Sequence, residues 1–257
     1  MSQRMVRLMI LLTMIAAAGG AEAARAQTAP SPDRVTYVIV HGAWGGGWAW
    51  RQVDSLLTAR GHRVHRPTLT GLGERVHLGT PQTNLSTHVQ DVVNSILFEE
   101  LDDVVLIGHS YGGMVVTGVA DRIPDRIRHL VYLDAFLPES GESVTTINGQ
   151  TGGGMANQAD NGFIVPAWRD PNAPPPGDVP HPVATFTEPL VLSNADALGR
   201  IPSTYILTMD PGAERDSFSP YRDRAAARGW KVLQMEADHN PQWSKPGELV
   251  DLFAGIR

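Results

Sequence analysis

The sequence has no cysteine, few basic residues and no apolar run of the ~20 residues that a membrane-spanning helix needs. Without cysteine the chain has no disulfide, no thiolate nucleophile and no cysteine-ligated metal. None of its nine histidines lies in an H-x-x-x-H or H-E-x-x-H pattern. We therefore expect no metal site and no cofactor.

The balance of charges excludes one class of partner. Lys and Arg number 21 against 27 Asp and Glu, which gives a formal net charge of −6, and no stretch is dense in basic residues. An acidic chain is poorly matched to nucleic acid and to anionic lipid surfaces. We expect a small-molecule partner and no nucleic acid; the sequence carries no pattern that indicates an oligomeric state.

The N-terminus has the pattern of a secretory signal peptide. Arg4 and Arg7 precede an apolar run at residues 8–18, and Ala24-Arg25-Ala26 resembles an A-x-A cleavage site. Cleavage after Ala26 leaves 257 − 26 = 231 residues and a charge of −8, since three arginines and one glutamate are removed. We predict a signal peptide over residues 1–26, export to the periplasm or medium, and no stable membrane association after cleavage.

From residue 35 onward, strand-like and helix-like segments alternate. This order predicts an α/β fold with a mostly parallel central sheet and helices on both faces. Ligands of such sheets bind beyond the carboxyl ends of the strands. The predicted strands are residues 35–40, 63–66, 103–107, 127–133, 204–209 and 231–235, and the predicted helices are 50–60, 85–101, 114–120 and 248–256.

The alternation breaks between the strand at 127–133 and the strand at 204–209. Residues 138–189 hold nine of the nineteen prolines, together with three consecutive glycines at 152–154. Recurring apolar residues argue against disorder there. We interpret the segment, about residues 138–200, as a cap over the site, inserted in one domain that spans residues 27–257.

A five-residue motif, Gly108-His109-Ser110-Tyr111-Gly112, connects an apolar strand to a helix. A G-x-S-x-G turn in that context is a nucleophile elbow, which presents a serine hydroxyl at the top of the sheet. Side chains at the two glycines would collide with the neighbouring strand and helix. The motif predicts that Ser110 is the catalytic nucleophile.

A serine nucleophile needs a base and an orienting acid, which elbow hydrolases supply in the order serine, acid, histidine. His239, just past the last strand, is the predicted base. Asp210, at the junction of a strand and a loop, is the predicted acid, and Asp134, after the preceding strand, is the alternative. Asp216 and Asp238 are weaker candidates, the latter because it can bond to its own loop.

Two backbone N–H groups are predicted to stabilise the oxyanion that forms when the serine attacks a carbonyl. One belongs to Tyr111, and the other to Ala43 in the glycine-rich loop after the first strand. His41 is predicted to brace that loop. Trp44, Trp168 and Trp243 are candidates for binding the substrate, with packing in the core or against the cap as the alternative.

Five blocks of the chain resemble the small α/β-hydrolases that include plant salicylate-type methyl esterases, hydroxynitrile lyases and bacterial pyrethroid-type carboxylesterases. The blocks are residues 40–44, 61–64, 108–114, 133–138 and 237–239. The resemblance is good over residues 35–140, moderate over 200–257 and poor across the cap.

The resemblance implies an α/β-hydrolase fold with Ser110 as nucleophile, Asp210 as acid, His239 as base, and Ala43 and Tyr111 as oxyanion donors. The lyase members resemble the chain less. They carry a hydroxyl residue at the position of Gly42, and they carry a lysine directly after the catalytic histidine, where this chain has Asn240.

The predicted function is hydrolysis of apolar or aryl carboxylic esters through an acyl-enzyme. One alternative is lyase or amidase chemistry on the same residues, and another is a non-catalytic ligand-binding protein with the hydrolase fold. Dehalogenase and epoxide hydrolase chemistry need a carboxylate at the elbow, where this chain has Ser110.

Overall fold

The computed structural model of the protein describes residues 34–149 and 158–256. Six of its strands, numbered below in chain order, form one parallel sheet in the order β2-β1-β3-β4-β7-β8. Two further short strands form a separate antiparallel pair. The strands are β1 (Thr36–Val40), β2 (Arg63–His65), β3 (Val104–His109), β4 (Ile127–Leu133), β5 (Phe163–Ile164), β6 (His181–Pro182), β7 (Ser203–Met209) and β8 (Lys231–Glu236). The predicted mostly parallel sheet is confirmed.

Nine α-helices are assigned within residues 34–149 and 158–256, together with three short 3-10 helices. The α-helices are α1 (Arg51–Ala59), α2 (Leu85–Phe98), α3 (Gly112–Arg122), α4 (Val144–Ile147), α5 (Ala184–Thr187), α6 (Ala195–Arg200), α7 (Ser219–Ala227), α8 (Pro241–Ser244) and α9 (Pro246–Ala254). The 3-10 helices are Gly47–Trp50, Gly73–Leu78 and Pro124–Arg126.

The two faces of the sheet bury two separate apolar clusters. Because side chains alternate along a strand, Leu106 packs on one face and Ile107 on the other. Helices α2 and α3 cover the first face, and α1 and α9 cover the second. Strand β3 is buried along its whole length, as its uninterrupted apolar run predicts.

The start of α2 shows how local sequence sets an element boundary. The Asn84 side chain accepts a hydrogen bond from the Thr87 backbone N–H at 3.0 Å. That bond satisfies one of the N–H groups that a helix leaves without a partner at its first turn. Asn84 is therefore the N-cap of α2.

The cap segment is attached to the sheet domain by carboxylates that accept backbone hydrogen bonds. Glu188 accepts from Ser86 N at 2.7 Å, in the first turn of α2. Asp121, in α3, accepts from Ser193 N at 3.0 Å and Asn194 N at 2.7 Å. The described part of the cap, residues 138–149 and 158–200, contains α4, α5, α6 and the β5–β6 pair.

All the described strands and helices belong to the unit that begins at Val35. The predicted signal peptide and the glycines at 152–154 lie outside the described residues. Within the described parts of the chain, the model contains no helix that is both long and apolar enough to cross a membrane.

Candidate active site

Ser110 lies in a tight turn between β3 and α3, with a positive φ of 54°. Its backbone carbonyl accepts hydrogen bonds from Gly113 N and Phe136 N, both at 3.1 Å. A Cβ at Gly108 would lie 2.7 Å from Gly112 O, and a Cβ at Gly112 would lie 2.6 Å from Val40 O. Both distances are too short for a side chain, so the two glycines allow the strained turn that holds the serine.

Contacts with three residues fix His239, two through its imidazole and one through its backbone carbonyl. Its Nδ1 lies 2.6 Å from Asp134 Oδ2, and the Phe218 ring stacks on it at 5.0 Å with an angle of 8°. His109 Nε2 lies 2.8 Å from His239 O, and since a carbonyl can only accept, this nitrogen carries the proton. The carboxylate likewise fixes the His239 proton on Nδ1, which leaves Nε2 free to accept one.

His239 and Ser110 line the same cavity of about 460 Å³ at the carboxyl ends of the strands. The predicted nucleophile and base are therefore brought together at one rim of the sheet. The Ser110 hydroxyl has no hydrogen bond to any other described residue, so it is available to a ligand in the cavity.

The carboxylate that is hydrogen-bonded to the His239 imidazole belongs to Asp134, not to Asp210. Asp134 follows β4, its side chain has no exposed surface, and its Oδ1 accepts a hydrogen bond from Thr208 N at 3.2 Å. Burial raises the pKa of the Asp134 carboxyl, and the hydrogen bond from His239 acts in the opposite direction.

Asp210 is exposed and makes no hydrogen bond to His239. The prediction that it orients the base, including the assignment implied by the family resemblance, is corrected by this geometry. The weaker candidates bond within their own loops: Asp216 accepts from Phe218 N at 2.7 Å, and Asp238 accepts from Asn240 N at 2.9 Å, as predicted for Asp238.

The two predicted oxyanion donors have unpaired backbone N–H groups. Neither Ala43 N nor Tyr111 N donates to another residue in the described ranges. A Cβ placed on Gly42 would lie 3.1 Å from Ser110 Cβ, so the loop that carries Ala43 runs directly against the nucleophile. The unpaired N–H of Ala43 therefore belongs to a loop that contacts the nucleophile, and that of Tyr111 belongs to the residue next to it in sequence.

His41 braces the glycine-rich loop of residues 41–48, the oxyanion loop, which carries the predicted donor Ala43, as the sequence predicts. Its Nε2 accepts from Leu69 N at 3.1 Å, and its Nδ1 therefore donates to Gly42 O at 2.8 Å. Burial lowers the pKa of His41 to about 4 and that of His109 to about 3, so both imidazoles are neutral near pH 7. With so low a proton affinity, neither imidazole is suited to act as a second base.

The three tryptophans predicted to bind substrate all line the cavity. Trp44 connects the oxyanion loop to the cap: its Nε1 donates to Ile164 O at 3.1 Å, and its N donates to His181 Nδ1 at 3.0 Å. Trp168 and Trp243 keep 66% and 49% of their surface exposed, so their indoles are open to a ligand.

Several residues of the site gave no readable sequence signal. Phe218 and Asp178 lie in irregular segments without periodicity, and Gln242 lies in the four-residue helix α8, just after the histidine. His109 occupies a variable position of the elbow motif. The motif therefore does not predict the hydrogen bond from His109 to the His239 backbone. Among the described residues, no three or more His, Asp or Glu side chains form a group that could hold a metal ion.

Comparisons with known proteins agree with this architecture. The model of the alpha/beta hydrolase family matches residues 37–252. A carbendazim hydrolyzing esterase of Nocardioides sp. (strain SG-4G) is 39% identical over 247 residues, which cover 86% of this chain and 98% of the relative. Methylesterase 9 of Arabidopsis thaliana is 26% identical and covers 86% of this chain and 97% of its own length.

A solved structure of an extracellular alpha/beta-hydrolase from a Paenibacillus species has the same fold. It superimposes with a TM-score of 0.70 at 23% identity, over 86% of this chain and 98% of its own. The family match spans most of the sequence, and the elbow, the sheet order and the histidine loop agree with it. This chain therefore belongs to the alpha/beta hydrolase family.

Proposed function

We propose that the protein hydrolyses carboxylic esters with Ser110 as nucleophile, His239 as base and Asp134 as orienting acid. The observation that carries the proposal is the 2.6 Å contact between His239 Nδ1 and Asp134 Oδ2 at the cavity that Ser110 lines. It fixes the tautomer in which Nε2 accepts the serine proton.

The reaction proceeds in two halves. Ser110 Oγ attacks the acyl carbon while its proton moves to His239 Nε2, and the N–H groups of Ala43 and Tyr111 stabilise the oxyanion. The alcohol then leaves with the proton from His239. Water, deprotonated by the same nitrogen, attacks the acyl carbon. The bond to Ser110 Oγ then breaks as His239 returns the proton to that oxygen, and the acid is released. Throughout, Asp134 stabilises the imidazolium.

The cavity supports an apolar or aryl substrate. Four tryptophans line it, namely Trp44, Trp50, Trp168 and Trp243, and indole rings pack well against flat apolar groups. The Nocardioides relative is named for carbendazim, a methyl carbamate on a planar heteroaromatic ring. We include aromatic carbamates with aryl esters in the proposed substrate class.

An ester panel with covalent trapping tests the proposal. We expect p-nitrophenyl esters of increasing acyl length, and carbendazim, to be hydrolysed in preference to matched amides and cyanohydrins. A fluorophosphonate is expected to add to Ser110, as read by mass spectrometry of the peptide. Labelling of another residue, or faster turnover of amides or cyanohydrins, would contradict the proposal, and tight binding of esters without turnover would favour a ligand-binding protein.

We also propose that the protein is exported after cleavage at Ala26. The N-terminal pattern supports this, as does the extracellular Paenibacillus hydrolase of the same fold. Expressed from its full sequence in a bacterial host, the protein is expected in the periplasm or medium with Gln27 as its first residue. N-terminal sequencing checks this, and intact residues 1–26 on protein recovered from the cytoplasm would refute it.

A further inference from the structure

We propose that the site selects esters that carry a positively charged group, such as a quaternary ammonium or a protonated amine, through Asp178 and the neighbouring tryptophans. The inference rests on the proposed ester hydrolysis at Ser110 and adds the charge of the substrate to it. No sequence pattern pointed to Asp178, which lies in the cap and lines the same cavity as Ser110 and His239.

The Asp178 carboxylate is held by a hydrogen bond to only one of its two oxygens. Its Oδ2 accepts a hydrogen bond from Trp168 Nε1 at 2.7 Å. Its Oδ1 has no hydrogen-bond partner among the described residues, and it lies 3.9 Å from where a Cβ on Gly45 would stand. The next residue, Val179, donates its N–H to Trp44 O at 3.0 Å. A free carboxylate oxygen is therefore held beside the oxyanion loop.

Among the described residues that line the cavity, there is no lysine or arginine to neutralise that carboxylate. Asp178 is the only carboxylate among these lining residues. Arg169 is the nearest basic residue in sequence, but its Nε donates to the backbone carbonyl of Asp178 at 3.1 Å. Arg169 lines an adjacent groove together with Asp170 and Asp178, but it forms no salt bridge with either carboxylate.

Aromatic faces complete the site for a cation. Trp44 and Trp168 meet edge to face, with ring centroids 5.2 Å apart and an angle of 84°, so their two faces point in different directions. Indole faces attract ammonium groups, and cages of aromatic rings are a known means of binding quaternary ammonium ions. A carboxylate beside two perpendicular indoles is the combination that binds a bulky, weakly hydrated cation.

Matched ester pairs test the selectivity. Each pair has an acetate of a trimethylammonio alcohol and its neutral tert-butyl isostere, with spacers of two to five methylenes between oxygen and the branched group. At the best-fitting length we expect kcat/KM to favour the cation by about tenfold, a difference of ~1.4 kcal/mol. The preference should weaken as NaCl is raised, because salt screens a partly exposed charge.

Two aspartate variants test whether the preference for the cation comes from Asp178. Asp178→Asn keeps an oxygen that accepts from Trp168 Nε1 but removes the charge, so the ratio of kcat/KM between cation and isostere is expected to fall to near one. Asp196→Asn removes the same charge from an exposed position of the cap outside the cavity lining, and the ratio is expected to stay as in the wild type.

The possible failures are distinguishable. If the neutral esters are hydrolysed but every ratio is near one, or if Asp178→Asn keeps the preference, the selectivity is wrong while the proposed ester hydrolysis stands. A carboxylate-bearing acetate hydrolysed as fast as its neutral isostere would overturn the selectivity in the same way. If neither series nor p-nitrophenyl acetate is hydrolysed and Ser110 is not labelled, the proposed function itself fails.

Discussion

Replacing Ser110 with alanine is expected to lower kcat for ester hydrolysis by about 10⁴-fold or more. Losses of this size follow removal of the nucleophile from serine hydrolases, and the remaining rate comes from the oxyanion hole and from binding. Because Ala43 N and Tyr111 N are backbone groups, the variant keeps both oxyanion donors. It should therefore still bind the ester, with KM changed much less than kcat.

The fold is expected to survive this change. Alanine occupies the same backbone space as serine at φ 54°, and the Ser110 hydroxyl makes no hydrogen bond to another described residue that would be lost. Ser55→Ala, on the exposed face of α1, is the matched control and should keep wild-type kcat. Steady-state kinetics with far-UV circular dichroism decides the matter: a folded Ser110→Ala protein within tenfold of wild-type kcat would exclude Ser110 as nucleophile.

The centre of the sheet was predictable from sequence because its strands β3, β4 and β7 are almost completely buried. Strand β3 begins with four apolar residues and β4 ends with four, since parallel strands are covered on both faces. Helix α7 was not predicted. Its buried residues are Ser219, Tyr221 and Ala225, so small and polar side chains face the protein and no apolar stripe marks the helix.

The site was partly predictable for a related reason. Ser110 and His239 each follow a strand, and the carboxyl ends of parallel strands meet at one rim of the sheet. The cap contributes Trp168 and Asp178 from irregular backbone, where no periodicity relates position to direction. Their place in the cavity depends on long-range contacts such as that between Val179 N and Trp44 O.

The choice between two acids depends on the register of the sheet, which the sequence does not show. Leu133 pairs with Ile206 in the neighbouring strand, so Asp134 lies level with Leu207. Asp210 lies three residues farther along, or about 10 Å at the rise of a parallel strand. Since His109 pairs with Leu133, Ser110 lies at the level of Asp134. Strand β7 continues to Met209, beyond the pairing of Leu133 with Ile206, and so carries Asp210 past both.

This register leads to the second large prediction, which ranks the activities of two matched variants. Asp134→Asn is expected to lower kcat by about 10³- to 10⁴-fold, because an amide NH₂ facing His239 Nδ1 favours the tautomer with the proton on Nε2, which cannot accept from Ser110. Asp210→Asn makes the same substitution at an exposed aspartate, and it is expected to leave kcat within about twofold of the wild-type value.

Folding does not confound the comparison, since each variant is checked by thermal unfolding. Asparagine is nearly isosteric with the buried Asp134, and its carbonyl oxygen still accepts from Thr208 N. If Asp210→Asn lost more activity than Asp134→Asn, the orienting acid would be the one that the family resemblance implies, and the loop after β7 would have to fold back by about 10 Å to reach His239. If only Asp134→Asn is impaired, the acid has the position that the register gives it, one strand away from the nucleophile and at the same height in the sheet.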